Sequence, residues 1–91
     1  MKYIFRVHAL KRMFERAVSV DEVQAVLESG EAIVEYPDDT PYPSRLVLGW
    51  AGRRPLHVVA AYNAVDDETI VVTVYEPDPA EWNPDFRRKA R

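Results

Sequence analysis

No cysteine occurs anywhere in the chain, which excludes a disulfide framework, a thiolate metal site and a thiol nucleophile. Glycine is scarce, with three residues in 91, and none belongs to a Gly-rich phosphate loop, a G-x-S-x-G nucleophile turn or a dinucleotide fingerprint. Long apolar runs are missing too. Lys2, Arg6, Lys11, Arg12, Glu15 and Arg16 interrupt the segment from Met1 to Arg16, so it has neither the apolar centre of a signal peptide nor a membrane-spanning run. The expectation is a soluble, cytoplasmic protein that starts near Met1 and has no membrane partner. A basic excess is also absent: the formal charge is −3, against the pattern of a generic nucleic-acid coat, so any site for a polyanion must be local. With two histidines and no H-x-E or His-x-His grouping, the three or four ligands of a zinc site are not evident, and neither metal nor cofactor is expected.

What is present fits one compact domain. A chain of 91 residues that is 47% apolar and 30% charged can bury one core but not two. Val7, Leu10, Phe14 and Ala17 recur at helical spacing and predict a helix over about 7–17 with those residues inward. Ser19, followed three residues later by Glu22, has the form of a capping box, and Val20, Val23, Val26 and Leu27 predict a second helix over about 20–29, ended by Gly30. β-prone segments follow at about 32–36, 45–51, 56–63 and 69–75, separated by turn-forming clusters such as Pro37 to Pro43 and Asp66-Asp67. Both acidic pairs, Asp38-Asp39 and Asp66-Asp67, are read as turn formers. The remainder, 76–91, holds Pro77, Pro79 and Pro84 and ends in Arg87, Arg88, Lys89 and Arg91. It is read as an irregular docked tail anchored by Trp82, with room for a short helix. Helices gathered before consecutive strands give an α+β fold: two N-terminal helices on one face of a small antiparallel β-meander of about four strands.

Register then assigns the polar groups. If Leu46, Leu48 and Trp50 share the core face with Leu56, Val58, Ala60, Ile70, Val72 and Val74, the opposite face carries His57 beside Gly49, close to Thr73 or Tyr75, with Arg45 on the same side. A histidine next to a glycine gap fits a pocket; equally, one polar residue on the solvated face of an antiparallel sheet is ordinary. That face also holds Val47, Val59, Ala61 and Val71, too apolar for open solvent, so the tail, a second copy or a ligand is expected to cover it. On the first helix, His8, Arg12 and Arg16 lie at i, i+4 and i+8 and form one ridge, able to hold phosphate oxygens beside an imidazole or simply to face water.

The residues F-R-V-H-A-L-K-R-M-F-E-R-A-V-S-V-D-E-V from Phe5 to Val23, then Gly30-Glu31, Tyr36-Pro37-Asp38-Asp39, Arg54 to Val59 and Val72 to Pro77, resemble the bacterial and archaeal family known as domain of unknown function 4258. The resemblance covers nearly the whole chain. It implies a small α+β protein similar in outline to the RelE and BrnT type of toxin ribonucleases, which cut RNA without metal on the open face of the sheet. By the same resemblance, His8, Arg12 and Arg16 match recurring positions of the first helix, and His57 and Tyr75 fall on the central strands. Two function classes follow. In the first, a metal-independent ribonuclease uses His57 as base or acid, with Tyr75 assisting and His8 as a further catalytic candidate; Arg45, Arg12 and Arg16 hold phosphate. In the second, the same face is a binding module for RNA, an antitoxin-like protein or a second copy, and His57 does no chemistry.

Overall fold

The computed structural model describes residues 1–90. Two helices and five strands follow in the order β1 (Lys2–Phe5), α1 (Val7–Glu15), α2 (Val20–Ser29), β2 (Glu31–Tyr36), β3 (Ser44–Ala51), β4 (Arg54–Asn63) and β5 (Glu68–Tyr75). The sheet order is β1-β5-β4-β3-β2. The expected meander is there, with β2 to β5 antiparallel in sequence. The fifth strand was not anticipated: β1 runs parallel to β5, Ile4 opposite Ile70, so the sheet is mixed. The four residues K-Y-I-F carry too little alternation to stand out by themselves, and only the edge of β5 organises them.

The α2 boundaries were legible because their physics is local. Ser19 Oγ accepts from the Glu22 backbone N–H at 3.1 Å, and Glu22 Oε1 accepts from the Ser19 N–H at 2.9 Å, completing the capping box. Gly30 follows for a steric reason: a Cβ there would lie 2.4 Å from the Val26 carbonyl oxygen and 2.5 Å from that of Leu48. In α1 the expected face is corrected. The helix stops at Glu15, and its buried residues are Ala9 and Met13; Val7 and Phe14 are 82% and 88% exposed. Because α1 packs on β5 over little more than two turns, two small or flexible side chains suffice to fill the contact. The larger apolar ridge points outward. The helix closes with a Schellman motif, in which Val18 N–H donates to Met13 O at 2.8 Å and Ala17 N–H to Phe14 O at 3.3 Å, with Ala17 at φ 54°.

The face assignment of β3 is also corrected. Leu48 pairs with His57, and Gly49 with Leu56, so Leu46, Leu48 and Trp50 share the face of His57. Val47 and Gly49 lie instead under the helices, and Arg45 goes with them to the open end of that side, where it borders a cleft with Tyr3, Leu27 and Tyr62. Space explains the choice. A Cβ on Gly49 would fall 2.8 Å from both methyls of Val26, so glycine lets α2 approach the sheet. Alternation alone did not reveal this because both faces are covered, one by the helices around Val23, Val26, Leu56, Val58, Val71 and Val74, the other by the tail.

The tail has no helix among the described residues; a turn at Asp78 leads to a Trp82–Lys89 bridge that folds the segment back on itself. Trp82 sits edge-to-face on His57 at 4.5 Å between centroids, Phe86 meets Trp50 at 6.0 Å, and Arg87 pairs with Glu31 at 2.8 Å. Of the occupants expected for the apolar sheet face, the tail is the one in place. The acidic pairs act locally: Asp39 accepts from the Thr40 N–H and the Ser44 hydroxyl, Asp66 from Asn63, and Asp67 from Tyr62. No helix among the described residues is long and apolar enough to cross a membrane.

Candidate functional site

His57 was the leading catalytic candidate, and its surroundings define what it can do. Its side chain is fully buried. Nε2 lies 2.9 Å from the carbonyl oxygen of Phe86, which can only accept, so Nε2 carries the proton. Nδ1 of the neutral ring is then the acceptor for the Tyr75 hydroxyl at 3.1 Å. Burial pushes the imidazole below its ordinary pKa, with the Phe86 hydrogen bond opposing. Both nitrogens are therefore spoken for, and Trp82 closes the ring's edge. This is a histidine that ties the tail to the sheet. Gly49 does not flank it, and Arg45 lies on the other face of the sheet.

The other candidates come together elsewhere. His8, Arg12 and Arg16 project along one side of α1 into a cleft of about 320 Å³ whose far wall is Thr73, Tyr75 and the start of the tail. The i, i+4, i+8 ridge expected from sequence thus faces a concave site, while α1 rests on the sheet through Ala9 and Met13 at a different angle. All three side chains are exposed. Tyr75 joins the two histidine regions: its hydroxyl reaches His57 beneath the surface and its side chain borders the cleft that holds His8. Burial first, then Tyr36 and Glu81 nearby, holds the Tyr75 phenol above its ordinary pKa, so it is protonated across the neutral range.

Sequence reasoning missed the acidic wall of this cleft. Glu76, Asp78 and Glu81 line it together with Trp82. Asp78 is engaged in the tail's turn, where its Oδ1 accepts from the Ala80 N–H at 2.8 Å; Glu76 and Glu81 are not among the groups bonded through their side chains within the described residues. Nothing at the level of spacing relates residues 76–81 to α1, because the two meet only after β5 returns beside that helix. Arg54, read only as part of a turn, is another omission: its guanidinium donates to the carbonyls of Arg16 and Ala17 at 2.7 and 3.1 Å and pairs with Glu22 at 3.6 Å. It thereby fixes the end of α1 from which Arg16 projects.

The cleft therefore offers an exposed imidazole, two guanidinium groups, a protonated phenol and three carboxylates, one of them, Asp78, engaged in the tail's turn. Such a set can bind a phosphate, and it can take a proton from one oxygen and give one to another without a metal. A family model described as Domain of unknown function (DUF4258) matches residues 5–76, a span that contains α1 and all of the cleft's ridge. No curated protein and no solved structure matches the chain.

Proposed function

The chain belongs to the DUF4258 family, and we propose that it is a toxin-like RNA-processing domain whose site is the cleft between α1 and the end of β5. The observation that carries this reading is the convergence of His8, Arg12, Arg16 and Tyr75 on one cleft. Arg12 and Arg16 hold a phosphodiester, with Arg12 also steadied by Glu15 at 3.4 Å. His8 takes the proton of a ribose 2′-hydroxyl as its oxygen attacks phosphorus. The bond to the 5′-oxygen breaks, that leaving oxygen takes a proton from water and the proton held by His8 passes to solvent, so a 2′,3′-cyclic phosphate and a 5′-hydroxyl result. Guanidinium groups stabilise the charge on phosphorus throughout. Tyr75 frames the cleft, and its tie to His57 fixes the position of that wall.

The expected chemistry is retained with its base moved from the buried His57 to the exposed His8. The runner-up, a non-catalytic module that binds a partner through the His57 face, has less support because Trp82 and Phe86 already occupy that face. The discriminating experiment incubates purified protein with labelled single-stranded RNA in the presence of a chelator. Cleavage with cyclic-phosphate ends, falling roughly 100-fold or more in His8→Ala and little changed in Lys11→Ala, supports the ribonuclease. RNA that is bound through Arg12 and Arg16 but never cut leaves a binding module in its place.

A further inference from the structure

A second depression, of about 560 Å³, lies on the other side of Tyr75. β2 supplies Ile33, Val34 and Tyr36 to one wall, and the tail supplies Arg87, Arg88 and Lys89 to the other. The two depressions adjoin, since Tyr75, Glu81 and Trp82 border both. Tyr36 and Glu81 also stand near enough to Tyr75 to disfavour its ionised form. Within the described residues, the basic segment Arg87 to Lys89 is held against the sheet. Arg87 is held by Glu31 at 2.8 Å and Asp85 at 3.8 Å, and Lys89 lies 5.6 Å over the Trp82 ring, while Arg88 has no ion pair among the described residues.

We propose that the two depressions form one track for single-stranded RNA, with its backbone on Arg12 and Arg16 at one end and on Arg88 and Lys89 at the other. An unpaired base stacks on the exposed ring of Tyr36, in the wall that faces Arg88 and Lys89. The inference rests on the α1 cleft being an RNA site and names the form of RNA that it takes. Three features carry it. Cations line both of two adjoining depressions in a chain of net charge −3, so phosphate recognition is local to the track. The ring of Tyr36 is exposed in the wall that faces the tail cations, and stacking on it requires a base that is not already paired. Trp82 cannot serve in that role, because it is buried between His57 and Lys89; its part is to hold the basic segment against the sheet. Glu81, which borders both depressions, opposes the backbone where they adjoin, so the attraction in the second depression comes from Tyr36, Arg88 and Lys89.

The test is fluorescence anisotropy with the intact chain and three labelled probes: a dinucleotide, a single-stranded RNA of about eight nucleotides, within the site size of single-strand binders, and a duplex of the same sequence. The longer strand is expected to bind about tenfold or more tightly than the dinucleotide, through the added stacking and phosphate contacts, and more tightly than the duplex. Tyr36→Leu and Arg88→Ser should each remove most of that gain while leaving dinucleotide binding as it is. Neither side chain is part of the core, and thermal unfolding of each variant verifies this. A dinucleotide that binds through Arg12 and Arg16, with no gain on lengthening or a gain that survives both variants, overturns the track and leaves the α1 site standing. If no probe of any length binds, both readings fall together.

Discussion

The Tyr75 hydroxyl donates to Nδ1 of His57 at 3.1 Å across the β4–β5 pair, in which the two residues are directly opposed. Through this one contact the buried tie between sheet and tail is connected to the wall of an open cleft. The neutral imidazole is required at both ends of the arrangement, because only an unprotonated Nδ1 can accept from Tyr75 while Nε2 donates to Phe86.

A pH dependence of stability follows. Burial lowers the folded-state pKa of His57 below a histidine's ordinary 6.5. The native state therefore stays neutral where the unfolded chain takes up a proton, so the stability is fully present above that value and is lost as pH falls toward the depressed folded pKa. Urea unfolding followed from about pH 7 down to about pH 5 should show a falling free energy whose slope is shallower in His57→Gln. An identical slope in the variant would remove His57 from the linkage.

Ser19→Ala should cost roughly 1 kcal/mol by deleting the acceptor for the Glu22 N–H. Glu22→Ala should cost a comparable amount, because it removes both the reciprocal bond and the partner of Arg54. Urea midpoints read both, and an unmoved midpoint for Ser19→Ala would count against the cap.

The corrected face of α1 separates two neighbours. Met13→Ala should destabilise by about 2 to 5 kcal/mol as a buried truncation, whereas Phe14→Ala should fall within about 0.5 kcal/mol of the parent because its side chain is exposed. Thermal or chemical unfolding distinguishes them. A costlier Phe14 substitution would restore the face that helical spacing suggested.

The two tryptophans report the sheet faces. Trp50 is 53% exposed and Trp82 is buried against His57. Iodide should quench Trp50 in the Trp82→Phe variant and barely reach Trp82 in the Trp50→Phe variant. The opposite pattern would mean that the tail does not lie where it is described.

How much of this could be read from the chain depends on how local each cause is. The capping box, the glycine stop after α2 and the runs of β3, β4 and β5 depend on neighbours within a few residues, and they were legible. β1 was not, since the strand it pairs with, β5, lies far along the sequence. The phase of β3 was misread because Leu46 and Leu48 are as apolar as a helix-facing core demands, yet they lie under the tail, while Gly49 yields its place to Val26. In α1, spacing placed His8, Arg12 and Arg16 on one ridge, which lines the cleft, but chose the wrong inward face, since packing on β5 selects the small Ala9 and the flexible Met13. His57 opposite Tyr75 was within the expected register. That the pair would be sealed by Phe86 and Trp82 depended on a tail without periodic pattern, and the acidic side of the cleft was hidden for the same reason.

The central claim, that the α1 cleft holds RNA phosphate, is tested most directly by the salt dependence of affinity for a short single strand in the parent and in Arg12→Ala/Arg16→Ala. The account predicts that the logarithm of the binding constant falls with the logarithm of salt, and that the double variant binds more weakly with a slope reduced by roughly 0.7 for each phosphate contact removed. Equal affinity and equal slope in the two proteins would contradict it.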